Sequence, residues 1–137
     1  MQETALALVS LAQAKKLKEL GFDWEVLEYY EHDNLIHYND EEINWNDSIR
    51  KYEVYSAPSV ALALKWFRDV KGVNTSLFRY IRYDGITYNT YSIENVCKLN
   101  NEDCNYYSTY EEAESALLDA LLEYCEVEKN GNREQQN

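Results

Sequence analysis

The sequence predicts an α+β fold, in which three helices pack on a small antiparallel sheet that is either a hairpin or a three-stranded meander. Two observations predict it. Three segments repeat apolar residues at steps of three and four, which is the spacing of one face of a helix. The segments between them alternate apolar and polar residues, which is typical of strands. With 137 residues, the chain is long enough for one domain with its own core.

The first predicted helix runs from Glu3 to Leu20. Gly21 ends it, because glycine tolerates the left-handed conformation that follows a last helical turn. Leu17 and Phe22 then lie where a Schellman motif places its hydrophobic contact. One face of this helix, apolar except for Gln13, comprises Leu6, Val9, Gln13, Leu17 and Leu20.

The second predicted helix begins near Pro58, whose fixed backbone angle suits a first helical turn, with Ser56 or Ala57 as the cap. Gly72 ends this helix and brings Val73 close to Phe67.

The third predicted helix starts at Thr109, which forms a capping box with Glu112. Its buried stripe is predicted to comprise Ala113, Ala116, Leu117, Ala120, Leu121 and Tyr124.

The clearest strands flank the Asp84-Gly85 pair, which tolerates the positive φ angles of a tight hairpin turn. They cover Leu77–Tyr83 and Ile86–Ile93. A third strand of this sheet is either Val96–Leu99 or Asn105–Tyr107.

A weaker pair, Val26–Glu31 and Leu35–Tyr38, lies around Asp33-Asn34, and Tyr52–Tyr55 forms a further short strand. The acidic stretch Asn39–Ser48 is predicted to be a loop.

The domain is expected to cover residues 1–127, followed by a flexible polar tail over 128–137. The apolar run Ala5–Ala14 lacks the basic start and small-residue end of a signal peptide, so it is interpreted as helix. No apolar stretch approaches the roughly 18 to 20 residues that span a bilayer. Three widely spaced cysteines favour thiols in a reducing cytoplasm, with a Cys97–Cys104 bridge as the alternative.

Negative charge is gathered into two blocks. Residues 21–56 contain ten acidic and two basic residues, and residues 111–137 contain eight acidic and two basic residues, in a chain whose net charge is −12. Charge that is concentrated on one surface selects partners, whereas scattered charge mainly keeps a protein dissolved. We therefore expect a carboxylate-rich partner surface that includes Asp40, Glu41, Glu42, Asp47, Glu111 and Glu114.

Tyrosine is the second surface signal, with thirteen residues in the chain. Tyr80, Tyr88 and Tyr91 lie on the predicted hairpin, where alternate side chains must face outward. They favour either a partner surface or simple cross-strand packing. Arg79 and Arg82 lie among them, but the net charge opposes binding of nucleic acid.

The sequence contains no pattern from which a catalytic residue, a cofactor or a metal ligand can be assigned. His32 and His37 are separated by five positions, which would direct them to opposite faces of a continuous strand. We therefore expect solvated histidines rather than a metal site.

Two segments, Tyr55–Val73 (YSAPSVALALKWFRDVKGV) and Tyr106–Tyr124 (YYSTYEEAESALLDALLEY), resemble a family of small proteins encoded by phages and prophages of gut Bacteroidetes. Residues 16–22 resemble the end of that family's first helix. The family is functionally uncharacterised, so the resemblance implies a cytoplasmic accessory protein of phage origin and assigns no catalytic residue.

The functional hypothesis is a non-enzymatic acidic interaction module that binds a host or phage protein, such as a protein with a basic nucleic-acid-binding groove. Neither a membrane nor nucleic acid is expected as a partner. One alternative is a small enzyme whose site combines dispersed carboxylates, His37 or tyrosine hydroxyls. Another alternative is a structural protein that self-associates through the tyrosine-bearing sheet.

Overall fold

The computed structural model describes residues 6–37, 40–48, 52–81, 83–93 and 106–135, with side chains for all of these except 80, 88 and 127–135. This part of the chain forms three α-helices, a short 3-10 helix and five strands, and the α+β prediction is confirmed. The helices are α1 (Leu11–Glu19), α2 (Val60–Val70) and α3 (Tyr110–Gln135), and the 3-10 helix is Trp45–Asp47. The strands are β1 (Glu28–Glu31), β2 (Asn34–His37), β3 (Val54–Ser56), β4 (Thr75–Ile81) and β5 (Thr87–Ile93).

The strands divide into two antiparallel sheets, whereas a single sheet was expected. One sheet has the order β2-β1-β3 and the other pairs β4 with β5. The reason for the division is that β3 returns to pair with β1, placing Tyr30 opposite Tyr55. The strands that precede α2 therefore form a sheet of their own, and the hairpin that follows α2 forms another.

Helix α1 begins at Leu11, so the predicted start at Glu3 is wrong. Ser10 is the cap: its hydroxyl accepts from Gln13 N–H at 3.1 Å, and the Gln13 side chain accepts from Ser10 N–H at 2.9 Å. The residues before Leu11 are not helical because they pair with the segment before α2. Val9 N–H donates to the Pro58 carbonyl at 3.0 Å. Val60 N–H likewise donates to the Ala7 carbonyl at 2.8 Å.

The predicted end of α1 is confirmed. Gly21 has a φ of 94°. Its N–H donates to the Lys18 carbonyl at 3.0 Å, and Phe22 N–H donates to the Leu17 carbonyl at 3.0 Å. These two bonds define a Schellman motif, and both Leu17 and Phe22 are buried.

The cap of α2 is Ser59 rather than Ser56 or Ala57. The Ser59 hydroxyl accepts from Leu62 N–H at 3.1 Å, while Ser56 is buried within β3. At the other end, Val73 N–H donates to the Phe67 carbonyl at 3.2 Å beyond Gly72, as the predicted helix end requires.

Helix α3 begins as predicted, since the Thr109 hydroxyl accepts from Glu112 N–H at 3.1 Å. Its backbone stays helical to Gln135, beyond the residue where a polar tail was expected to begin.

The hairpin β4–β5 is confirmed, with Leu77 opposite Tyr91 and Ile81 opposite Thr87. Strand β4 ends at Ile81 and β5 begins at Thr87, so these strands do not extend to the Asp84-Gly85 pair and the connection is longer than the predicted tight turn. Asp84 still stabilises this loop, because its carboxylate accepts from Ile86 N–H at 3.1 Å.

Of the two candidates for a third strand beside the hairpin, Val96–Leu99 lies outside the described residues. In the other candidate, Tyr107 forms a single bridge to Asn89, with N–O distances of 2.8 and 2.7 Å. In the other sheet, the β1–β2 turn is formed by His32 and Asp33, one residue earlier than expected.

The core lies between the helices and the two sheets. Helix α3 packs against β5, β4, α2 and α1, and α1 packs in turn against β3. Leu117, Leu118, Leu121 and Leu122 of α3 are all buried in the same hydrophobic cluster as Trp66, Phe67 and Phe22. The predicted stripe of α3 is therefore largely confirmed and extends over two further leucines.

We expect Leu117→Ala to reduce the free energy of unfolding by about 2–5 kcal/mol, because it leaves a cavity at the centre of this cluster. Urea denaturation measures the loss. The matched control is Leu35→Ala, which removes the same side chain from a position that is 48% exposed and should cost less than about 1 kcal/mol. Equal losses at the two positions would contradict this description of the core.

Candidate functional site

Residues 40–48, called the acidic loop below, connect β2 to the segment that leads into β3. Asp40, Glu41, Glu42 and Asp47 are all exposed, and the Asp40 side chain has 88% of its surface accessible. The stretch was predicted to be a loop. In the structure it includes the short 3-10 helix Trp45–Asp47, so its backbone follows a defined path.

Trp45 holds the acidic loop against the core. Only 1% of its surface is exposed, and its ring lies 4.3 Å from the ring of Tyr29. The indole N–H donates to the Val26 carbonyl at 2.9 Å. Val26 and Ile43 also exchange two backbone hydrogen bonds of 3.0 Å each. The loop is therefore attached to Val26 by both its backbone and a buried side chain.

Asn46 adds a second attachment. Its side-chain amide donates to the Phe22 carbonyl at 2.8 Å, and its side-chain oxygen accepts from Ser56 N–H at 2.9 Å. One side chain thus joins the end of α1 to β3 through the loop. Trp45 and Asn46 therefore attach the loop to the core, while its carboxylates remain exposed. Ordering a loop before it binds lowers the entropy cost of binding a partner.

His37 connects the acidic loop to the first sheet. Its Nδ1 atom lies 3.1 Å from a carboxylate oxygen of Glu28, and its Nε2 atom contacts the Asp40 carboxylate. These hydrogen bonds, that of Asp40 first and that of Glu28 second, raise the pKa of His37 above its ordinary value. His37 is therefore a positive link between two carboxylates when it is protonated.

The two histidines do not form a metal site together. The His32 ring lies 4.9 Å from the ring of Tyr52, at the opposite end of the β1–β2 hairpin from His37. Across the residues that the structure describes, no group of three His, Cys, Asp or Glu side chains is close enough to hold a metal ion.

Glu111 and Glu114 lie elsewhere in the fold, in the first turns of α3. This helix packs against α1, α2 and the β4–β5 hairpin, whereas the 3-10 helix that carries Asp47 packs against β3. Glu114 is half-buried, and its burial, together with the charge of Glu111, raises the pKa of its carboxyl group. The predicted acidic residues thus belong to two separate groups.

The three tyrosines that were predicted as partner contacts lie on the hairpin. The backbones of Tyr80 and Tyr88 are paired across it, and their side chains lie outside the described part of the structure. Tyr91 is half-buried, packs against the core and stacks on Tyr107 with ring centres 6.3 Å apart. At least one of the three therefore contributes to packing.

A groove that the sequence does not reveal runs between α2, β4 and the start of α3. It consists of two adjoining open cavities of about 590 and 250 Å³, and Leu77 and Tyr110 line both of them. We call it the α3 groove. Glu111 lines the larger cavity and Glu114 the smaller one, so the second acidic group borders a concave surface.

No known protein family, curated protein or solved structure matches the chain. Among the helices of the described residues, none combines the length and the apolar character that crossing a membrane requires.

The sequence pattern identified the carboxylates and missed the residues that position them. Trp45 is a single tryptophan within a polar stretch, and this isolation was the available signal, because a large aromatic ring is seldom left in water. Asn46 acts through Phe22 and Ser56, which are 24 and 10 positions away in sequence, so only the assembled fold reveals its role. His37 pairs with residues three and nine positions away, but the sequence analysis treated it only as a solvated histidine.

We expect Trp45→Phe to loosen the acidic loop while leaving the rest of the core intact. The change removes the hydrogen bond to Val26 and part of the buried ring, and should lower the free energy of unfolding by about 1–2 kcal/mol. Hydrogen exchange at the Ile43 amide measures the local effect and should become faster. Trp24→Phe, at a half-buried position outside the loop, is the control; unchanged protection of Ile43 in Trp45→Phe would contradict the anchoring role.

We expect His37 to titrate above its ordinary pKa of about 6.5, and proton NMR of its ring measures the value. Because the pKa is raised in the folded state, the stabilisation is fully present below about pH 6.5 and disappears as the pH rises through the folded pKa. Asp40→Asn should move the pKa of His37 back towards its ordinary value. A pKa at or below the ordinary value in the wild-type protein would show that the two carboxylates do not hold the ring in solution.

Proposed function

We propose that the protein is a non-enzymatic interaction module that binds a basic protein of a host or a phage through the carboxylates of the acidic loop. The observation that carries the proposal is the anchoring of this loop. Trp45 and Asn46 fix it from inside, while Asp40, Glu41, Glu42 and Asp47 remain exposed on the outside.

The electrostatic context supports the same proposal. Residues 21–56 contain ten acidic residues and two basic ones. A surface of one sign attracts a partner of the opposite sign over a distance close to the Debye length, about 8–10 Å at physiological salt. The proposed partner carries arginine and lysine on a concave surface, as nucleic-acid-binding proteins do, and the ordered carboxylates would occupy the place of phosphate groups.

The origin and the location of the protein belong to the same proposal. The segments Tyr55–Val73 and Tyr106–Tyr124 resemble small proteins of phages and prophages of gut Bacteroidetes. We propose on this basis that the protein is a phage-derived accessory protein that acts in the cytoplasm, where it would meet the nucleic-acid-binding proteins of the host.

The test is affinity capture from a host lysate, followed by measurement of the affinity for each captured protein. The triple variant Asp40→Asn, Glu41→Gln, Glu42→Gln should lose roughly tenfold or more in affinity, since each exposed ion pair contributes up to about 0.5–1 kcal/mol. Binding by the wild-type protein should also weaken as salt rises from about 50 to 200 mM.

The matched control changes the same number of charges elsewhere: Asp84→Asn, Glu123→Gln, Glu126→Gln, all at exposed positions outside the loop. This control should bind like the wild-type protein. If both triple variants lose the same affinity, net charge alone explains the binding. If neither loses affinity and salt has no effect, the acidic loop is not the binding surface.

A further inference from the structure

His37 joins the acidic loop to the first sheet through both nitrogens of its ring. It lies directly opposite Glu28 in the β1–β2 pair, and its Nδ1 atom is 3.1 Å from the Glu28 carboxylate. Its Nε2 atom contacts the carboxylate of Asp40, the first residue of the acidic loop. One imidazole ring is therefore held between a carboxylate of a strand and a carboxylate of the proposed binding surface.

This arrangement satisfies both carboxylates only when the ring is protonated. An imidazolium has two N–H donors, whereas a neutral imidazole has one donor and one acceptor. A neutral ring would thus turn a lone pair towards one of the two carboxylates. Loss of the proton removes one of the two hydrogen bonds as well as the positive charge.

The exposure of the two carboxylates decides which hydrogen bond is lost. The side chain of Glu28 has 24% of its surface accessible, and that of Asp40 has 88%. Water replaces the imidazole at Asp40 at little cost, whereas a less accessible carboxylate that loses its donor is less well solvated. The neutral ring therefore keeps its N–H on Glu28, and the Asp40 carboxylate is left to solvent.

Two carboxylates determine the charge state of the ring. Among the described residues, Asp40 of the acidic loop and Glu28 of β1 are the charged groups that act on it. Their hydrogen bonds, that of Asp40 first, raise the pKa of His37 and outweigh the opposing effect of desolvation. Since the ordinary pKa of histidine is about 6.5, the ring changes its charge near neutral pH, where ordinary carboxyl groups are ionised.

The order of the acidic loop does not depend on this histidine. Trp45 and Asn46 attach the loop to Val26, Phe22 and Ser56, and none of these contacts involves an ionisable group. Deprotonation of His37 therefore changes the charge beside Asp40 and leaves the attachment of the loop in place. A cation that approaches Asp40 meets an imidazolium below the titration of His37 and an unpaired carboxylate above it.

We infer that His37 regulates the acidic loop as a proton-dependent competitor of the partner: the imidazolium pairs with Asp40, and loss of its proton releases this carboxylate to a lysine or arginine of the partner. This inference rests on the proposed function and adds the regulation of the same surface. Binding strengthens as the pH rises through the titration of His37. By linkage, a bound cation makes His37 easier to deprotonate.

The test is the binding of rhodamine-labelled hexa-arginine to the full-length protein at constant ionic strength, measured by fluorescence anisotropy at about pH 6 and about pH 8. Arginine stays charged over this range, so the peptide itself does not titrate. We expect the Kd to be about two- to threefold lower at the higher pH, the size expected for one exposed ion pair. A Kd that is lower at the lower pH would overturn the inference, since the protonated ring would then favour binding.

Two variants isolate the histidine. In His37→Gln the ring is replaced by a neutral amide, so the Kd should stay close to the wild-type value of the higher pH under both conditions. The matched control is His32→Gln, at the opposite end of the β1–β2 hairpin, which should keep the wild-type pH dependence. Other titrating groups, such as the terminal amine, affect all three proteins equally. The same pH dependence in His37→Gln as in the wild-type protein would overturn the inference.

A second measurement needs no variant. Proton NMR of the His37 ring, in the free protein and in the presence of saturating hexa-arginine, compares the pKa of the ring in the two states. Because linkage is reciprocal, the pKa should be lower in the complex. An unchanged or raised pKa in the complex would show that the peptide and the proton do not compete for Asp40.

Failure of this inference can be told from failure of the proposed function. If the loop variant Asp40→Asn, Glu41→Gln, Glu42→Gln binds hexa-arginine as tightly as the wild-type protein, the acidic loop is not a cation-binding surface and both proposals fall. If that variant binds more weakly, while the wild-type protein and His37→Gln respond identically to pH, only the regulation by His37 is rejected.

Discussion

Burial of the leucine face of α3 is the interaction on which the rest of the structure depends. Neither sheet can enclose a core by itself, since one has three short strands and the other has two. Helix α3 packs against the β4–β5 hairpin, α1 and α2, and α1 in turn packs against β3. The two sheets become parts of one domain because both are packed, directly or through α1, on this helix.

The same arrangement determines what the surface can do. Val26, which precedes β1, holds the acidic loop, while the first turns of α3 form one side of the groove. Both regions place exposed or half-buried carboxylates on segments that are packed against the core. Rigid presentation of such groups is what distinguishes a partner surface from charge that only keeps a protein in solution.

The parts of the fold that local chemistry controls could be predicted from the sequence. The Schellman motif at Gly21 and the cap at Thr109 depend on residues within a few positions of each other. The start of α1 could not be predicted, because Val9 pairs with Pro58 instead of continuing the helix. For the site, the exposed carboxylates were identified from charge alone, whereas the anchoring by Trp45 and the α3 groove both require contacts between distant segments.

The double hydrogen bond of Asn46 has a consequence for the order in which the chain folds. Its partners are Phe22 and Ser56, which are 24 and 10 positions away in sequence. Both bonds can form only after the end of α1 and strand β3 have met, and closing such loops carries an entropic cost that only later contacts offset. The ordered form of the acidic loop therefore requires the end of α1 and strand β3 to be together, so a partly unfolded chain in which they have separated lacks the arrangement of carboxylates that we propose as a binding surface.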